Sequence, residues 1–156
     1  MNSIKFILLI AIGLFSNCIY SQQIHNNMTN QEVVKQFLDG FNEPAKIQAS
    51  LDLLAEDYHF KNPMVELHSK AAFISLAQEI GAVLTGVNIM RLAQNNDWVV
   101  VQYEFTSTIP GVESNIATEW FRIENGMIKE SFLIYDASEW RKIYAQMEKW
   151  DKLIIS

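Results

Sequence analysis

Glu119-Trp120-Phe121-Arg122-Ile123-Glu124-Asn125-Gly126-Met127-Ile128 is the stretch on which the fold turns. Asn-Gly between two runs of β-branched and aromatic residues is a strong hairpin signal, because both central residues of the matching turn need a positive φ. The spacing predicts two long strands, Asn115 to Glu124 and Met127 to Asp136. Working outward, Trp98 to Thr108 has the same strand composition. Val99, Val101, Tyr103 and Phe105 fall on one of its faces, and Val100, Gln102 and Glu104 on the other. Asn95-Asn96-Asp97 marks a turn, and Leu84 to Gln94 before it reads as a further strand. Four long strands therefore follow one another as a meander.

The chain ahead of the meander has a different period. Thr29 and Glu32 form a capping box, followed by Val34, Phe37, Leu38 and Phe41 at helical spacing. Pro44 suits the first turn of a second helix in which Ile47, Leu51 and Leu54 share a face. Tyr58 to Lys61 alternates and stops at Asn62-Pro63, as a short strand would. Ser69 caps a third helix with Ala72, Phe73, Leu76, Ala77 and Ile80 on one side. A last helix, Ser138 to Trp150, presents Trp140, Ile143, Tyr144 and Met147. The apolar tail Leu153-Ile154-Ile155 is expected to pack back. The expected fold class is α+β, with three N-terminal helices against a strongly curved, mainly antiparallel sheet and a closing C-terminal helix. Strands this long in so small a domain must twist and coil. The concave side of such a sheet is a hollow, and hollows are where ligands sit.

The 156 residues suffice for one domain. One positive charge, Lys5, precedes the apolar run Phe6 to Phe15, which is short for a bilayer span and fits a secretory signal. Cleavage is expected after Ser21, giving a signal peptide 1–21, a loose leader 22–28, a domain 29–150 and a tail 151–156. The protein is thereby expected to be exported, periplasmic or secreted. A retained anchor is the alternative, as is acylation of Cys18, against which Asn17 is a poor fit to the small residue wanted before a lipidated cysteine. Cys18 is the only cysteine, so a chain cut after Ser21 has no disulfide and no thiol chemistry. The net charge of −6, with no basic cluster longer than Arg141-Lys142, argues against nucleic acid as a partner.

Three segments carry a resemblance to a known family: Asp57 to Pro63, Glu119 to Ile128, and Ile134-Tyr135-Asp136. Together they resemble the SnoaL-like proteins of the nuclear transport factor 2-like superfamily, over residues 29–150. The resemblance implies a cone-shaped fold whose pocket lies in the curved sheet. It names no single activity, because the superfamily holds isomerases, cyclases, epoxide hydrolases, dehydratases and members without chemistry.

For limonene-epoxide-hydrolase-like members the resemblance implies an Asp-Arg-Asp set that activates a water with a Tyr and an Asn. Laid along that pattern, Gln102 stands at the Arg position, Glu104 at the first Asp, Asp136 at the second and Asn62 at the Asn. Phe60 stands where the Tyr would be. Asp136, Glu104 and Gln102 are thus the candidate catalytic residues, and Asn62, Phe60, Trp120 and Phe132 the candidate ligand contacts. Each has a second reading. Asp136, three residues before Glu139, suits a helix cap. Gln102 and Glu104 face solvent if the sheet's parity is the reverse. Asn62 before Pro63 is a turn formula, and the aromatic residues suit a core. His25, His59 and His68 show no metal-ligand spacing, and no glycine loop cradles a phosphate, so no metal or cofactor is expected. The expected partner is a small apolar or aromatic molecule, bound with or without acid–base chemistry. The resemblance also implies an interaction module, a homodimer through the outer face of the sheet.

Overall fold

The computed structural model describes residues 28–154. The expected signal peptide, Cys18 and His25 lie outside the described residues. The elements are α1 (Asn30–Asp39), a 3-10 turn (Gly40–Asn42), α2 (Ile47–Leu51), β1 (Leu54–Lys61), β2 (Glu66–Leu67), α3 (Lys70–Gly81), β3 (Leu84–Asn95), β4 (Trp98–Ser107), β5 (Ser114–Glu124), β6 (Met127–Tyr135) and α4 (Ser138–Ile154). The strands form one curved sheet in the order β2-β1-β6-β5-β4-β3. The meander from β3 to β6 is antiparallel, and β1 joins it parallel to β6. The expected α+β class and closing helix are present.

The local signals explain most of these elements. Thr29 accepts from the Glu32 backbone N–H, and the Glu32 carboxylate accepts from the Thr29 N–H at 2.7 Å, so both members of the capping box are made. Ser69 caps α3 by accepting from Ala72 N–H. Asn125 and Gly126 have φ of 52° and 75°, the left-handed pair that a two-residue hairpin requires. At Gly40 the reason for glycine is proximity: an added Cβ would stand 1.7 Å from Ser50 Oγ. That contact lets the end of α1 lie against α2, and the Ser50 hydroxyl donates to Gln36 O at 3.0 Å.

Two expectations need correction. The second helix is only Ile47–Leu51, and Leu54 belongs to β1 instead of its apolar face. Pro44 sits in a turn closed by Lys46 N–H on Glu43 O, and the polypeptide straightens after α2 because Leu54 pairs with Ile128 in the sheet. The strand expected over Tyr58 to Lys61 is therefore longer than its alternating part. At the other end, α4 continues through Leu153 to Ile154, where a separate tail was expected.

The core lies between the concave face and the helices. Val33, Val34, Phe37 and Leu38 of α1 pack with Val99, Val101, Phe121 and Ile128 of the sheet, all buried. Two polar ties fix the ends of this assembly. Asn42 accepts from Val87 N–H at 2.7 Å and donates to Val87 O at 2.9 Å, holding the 3-10 turn to β3. Trp140 Nε1 donates to Asn115 Oδ1 at 2.9 Å, holding α4 across β5.

Candidate functional site

The alternation along β4 decides which residues face the hollow. Val99, Val101, Tyr103, Phe105 and Ser107 are buried, while the residues between them are partly exposed. The register then carries this parity to β5: Val99 pairs with Phe121, Val101 with Glu119 and Tyr103 with Ala117. Glu119 is thus turned inward, in a row otherwise made of Ala117, Phe121 and Ile123.

A cavity of about 380 Å³ opens between this face and the helices. Its walls come from α1 (Phe37, Leu38), β1 (Phe60), the following loop (Asn62, Met64, Val65), α3 (Phe73, Leu76, Ile80), the sheet (Val87, Tyr103, Phe105, Leu133, Tyr135) and α4 (Trp140, Tyr144). Glu119 is the buried carboxylate in this apolar wall, 3% exposed. Glu79, which also lines the cavity, is exposed.

Three hydroxyls surround Glu119. Tyr103 donates to its Oε2 at 2.7 Å. Ser131 also hydrogen-bonds the Glu119 side chain, and Tyr58 lies 2.6 Å from Ser131 Oγ. Because Glu119 and Ser131 neighbour each other on paired strands, the chain Tyr58–Ser131–Glu119–Tyr103 runs across the back of the cavity. Burial outweighs these bonds and raises the Glu119 pKa to about 7. Tyr58 and Tyr103 are themselves pushed well up, by burial first and by the Glu119 charge second. They remain donors, and Glu119 is the group that changes state near neutral pH.

The expected residues are distributed differently. Phe60 and Asn62 line the cavity. Asn62 Oδ1 accepts from Met64 and Val65 N–H at 2.7 and 2.8 Å, so its oxygen shapes the turn after β1. Gln102 and Glu104 lie on the outer face of β4, where Gln102 accepts from Arg91 and Glu104 from Ser114. The physical reason is the apolar row Val99, Val101, Tyr103 and Phe105, which must take the core side and sends the residues between it outward. Trp120 is on that outer face, 43% exposed, opposite Phe132, which stacks on Trp98 at 6.2 Å. Asp136 is exposed and accepts from Ser138 N–H at 2.9 Å, and this bond at the start of α4 holds its carboxyl below the usual range. Gln102, Glu104 and Asp136 therefore do not meet with Asn62 in the cavity, and the set expected from epoxide-hydrolase-like members is not assembled there.

Glu119 was missed although its signal was readable. On β5 the odd residues Ala117, Phe121 and Ile123 match the apolar row of β4, and Glu119 is the one acid among them.

The comparisons with known proteins agree with this architecture. The SnoaL-like domain family matches residues 34–131. No curated protein matches the sequence. Among solved structures, an NTF2-like protein of unknown function from Cytophaga hutchinsonii aligns with a TM-score of 0.64 and 15% identity, covering 76% of this chain and 96% of that one. A candidate ketosteroid isomerase from Kribbella flavida gives 0.59 and 17%, covering 68% and 76%. An LEH-like epoxide hydrolase of M. tuberculosis gives 0.59 and 16%, covering 67% and 80%. At these identities the likeness is one of fold. The curved sheet, its helices and the family match over most of the domain make this chain a member of the SnoaL-like domain family, with an NTF2-like fold.

Proposed function

We propose that the cavity binds a small apolar or aromatic molecule and that Glu119 exchanges a proton with it. The observation that carries this reading is a buried carboxylate, poised near pH 7, in an otherwise apolar wall. A general acid or base works best when its pKa lies near the working pH. Protonated, Glu119 can donate to an oxygen of the ligand; ionised, it can take a proton from carbon or oxygen. Tyr103 steadies the charge that appears on it. One carboxylate serving as both base and acid suits a proton shift within one molecule, the chemistry of an isomerase or cyclase. A water-activating pair of carboxylates is not needed. Apolar walls also suit an aromatic ligand, with Phe60, Phe73, Phe105 and Trp140 supplying ring contacts.

The test uses a panel of hydrophobic ketones in deuterated water, with exchange at the carbon beside the carbonyl followed by nuclear magnetic resonance. The expected result is exchange by the parent protein that Glu119→Gln loses. An apolar anionic dye, 8-anilinonaphthalene-1-sulfonate, reads binding separately. It should bind more tightly below pH 7, where Glu119 is neutral, and Glu119→Gln should abolish that dependence. Dye binding with no exchange in any ketone would favour a pure binding domain. Exchange that survives the substitution would remove Glu119 from the reaction.

Two further readings rest on sequence and surface. The run Phe6 to Phe15 supports export by a signal peptide cut after Ser21, with Gln22 as the first residue on amino-terminal sequencing of the exported chain. An uncut amino terminus would sink it. The outer face of the sheet, with Ile116, Trp120 and Ile134 exposed, supports a homodimer through that face.

A further inference from the structure

The β1–β2 hairpin carries a second cluster, on the side of β1 away from the cavity. Phe60 pairs with Leu67 and Lys61 with Glu66. One step along the same register sets His59 beside His68, while Glu66 and His68, two residues apart, share a strand face. The imidazoles of His59 and His68 stack with centroids 4.8 Å apart and planes 12° from parallel. Glu66 Oε1 lies 2.9 Å from His59 Nε2. One ligand atom from each of the three residues lies within 4.8 Å of the others. The sequence spacing alone gave no hint of this, because the hairpin register is what brings His59 to His68.

We propose that His59, Glu66 and His68 bind a divalent transition-metal ion of the zinc or copper kind on the outer face of this hairpin. Imidazole nitrogen and carboxylate oxygen are the donors such ions take, and three protein ligands leave a position for water or a ligand. Bonds of about 2.0–2.2 Å to one tetrahedral ion put ligand atoms roughly 3.3 Å apart. The His59 Nε2–Glu66 Oε1 separation of 2.9 Å is already close to that figure, and the three ligand atoms lie within 4.8 Å of one another. An ion bound there takes the place of the His59 Nε2–Glu66 Oε1 hydrogen bond, with the imidazole proton carried on Nδ1. Neighbouring groups orient the set. Lys61 Nζ holds Glu66 Oε2 at 2.9 Å, leaving Oε1 to the ion, and Phe132 packs edge-on to the His59 ring at 6.0 Å. The turn behind them is fixed by the two bonds to Asn62 Oδ1. Because Phe60 and Asn62 of the same hairpin line the cavity, an ion here stiffens one of its walls.

The test is calorimetric titration of the purified untagged protein with zinc chloride, paired with electron paramagnetic resonance of the copper(II) form. The expected result is one ion per chain and copper coupled to two nitrogens. His59→Ala and His68→Ala should each lower zinc affinity by at least about tenfold, the scale on which even outer partners of a ligand matter. Each should leave copper with one nitrogen fewer, and Glu66→Gln should weaken zinc while keeping both. His25→Ala should bind as the parent does. Thermal melts of the metal-free variants matching the parent show that the fold is intact. Absence of saturable binding, or an affinity unchanged in the His59→Ala/His68→Ala double variant, would overturn the site. Neither outcome bears on Glu119.

Discussion

A carboxyl kept from water in an apolar wall costs the fold stability whenever it ionises, and Glu119 is in that position. Its pKa rises from 4.5 to about 7 on folding. A raised carboxyl pKa means that its contribution is fully present below pH 4.5, falls as pH rises through the window, and is gone above about 7. At about 1.4 kcal/mol per pH unit, the loss comes to about 3 kcal/mol. Glu119→Gln removes that titration. Denaturant unfolding at a series of pH values should therefore show the parent losing stability relative to Glu119→Gln between pH 4.5 and 7; parallel curves would mean that Glu119 is solvated. At this scale the sequence was half legible. Phe60 and Asn62, placed by the family resemblance, do line the cavity. Gln102 and Glu104 are placed by the same resemblance, and the apolar parity of β4 overrides it; Trp120 and Phe132, expected at the pocket as aromatic residues, stand on the same outer face. The apolar alternation of each strand settles the facing, sending Gln102 and Glu104 outward and turning Glu119 inward.

At the scale of elements, the best-read features were those with a chemical signature in three or four consecutive residues. The Thr29–Glu32 capping box, the Ser69 cap and the Asn125-Gly126 turn all form as their residues imply. The second helix was overextended because Leu54 fits an apolar helical face as well as it fits a buried strand, and pairing to Ile128 decided between them. Gly40 illustrates a constraint that only packing reveals. Its φ of −64° suits any residue, yet a methyl group there would collide with Ser50 Oγ. Gly40→Ala should thus destabilise by about 1–3 kcal/mol, as overpacking does. Gly40→Ala combined with Ser50→Gly should recover much of the loss, measured by denaturant midpoint. A single variant as stable as the parent would show that α1 and α2 are free to separate.

At the scale of the molecule, the meander, the helical preface and the closing helix were all legible, because each has its own hydrophobic period. The parallel docking of β1 on β6 was not, since nothing local to either strand encodes a partner about 70 residues away. The same architecture leaves the outer sheet face with Ile116, Trp120 and Ile134 at 51%, 43% and 59% exposure, an apolar strip with Val100 and Phe132 beside it. If that strip is the dimer contact, sedimentation should show a concentration-dependent dimer, and Trp120→Glu should shift it to monomer without lowering the melting temperature of the monomer itself. A parent that sediments as a monomer at every concentration would leave the strip without that role.

The cavity carboxylate is the point on which the functional account stands. The direct measurement is a carbon-13 nuclear magnetic resonance titration of the Glu119 side-chain carboxyl, assigned by its loss in Glu119→Gln. The expected midpoint is about 7, with the Tyr103 ring shifts moving in step as its hydroxyl feels the charge appear. A midpoint near 4.5, with Tyr103 indifferent to it, would contradict the account.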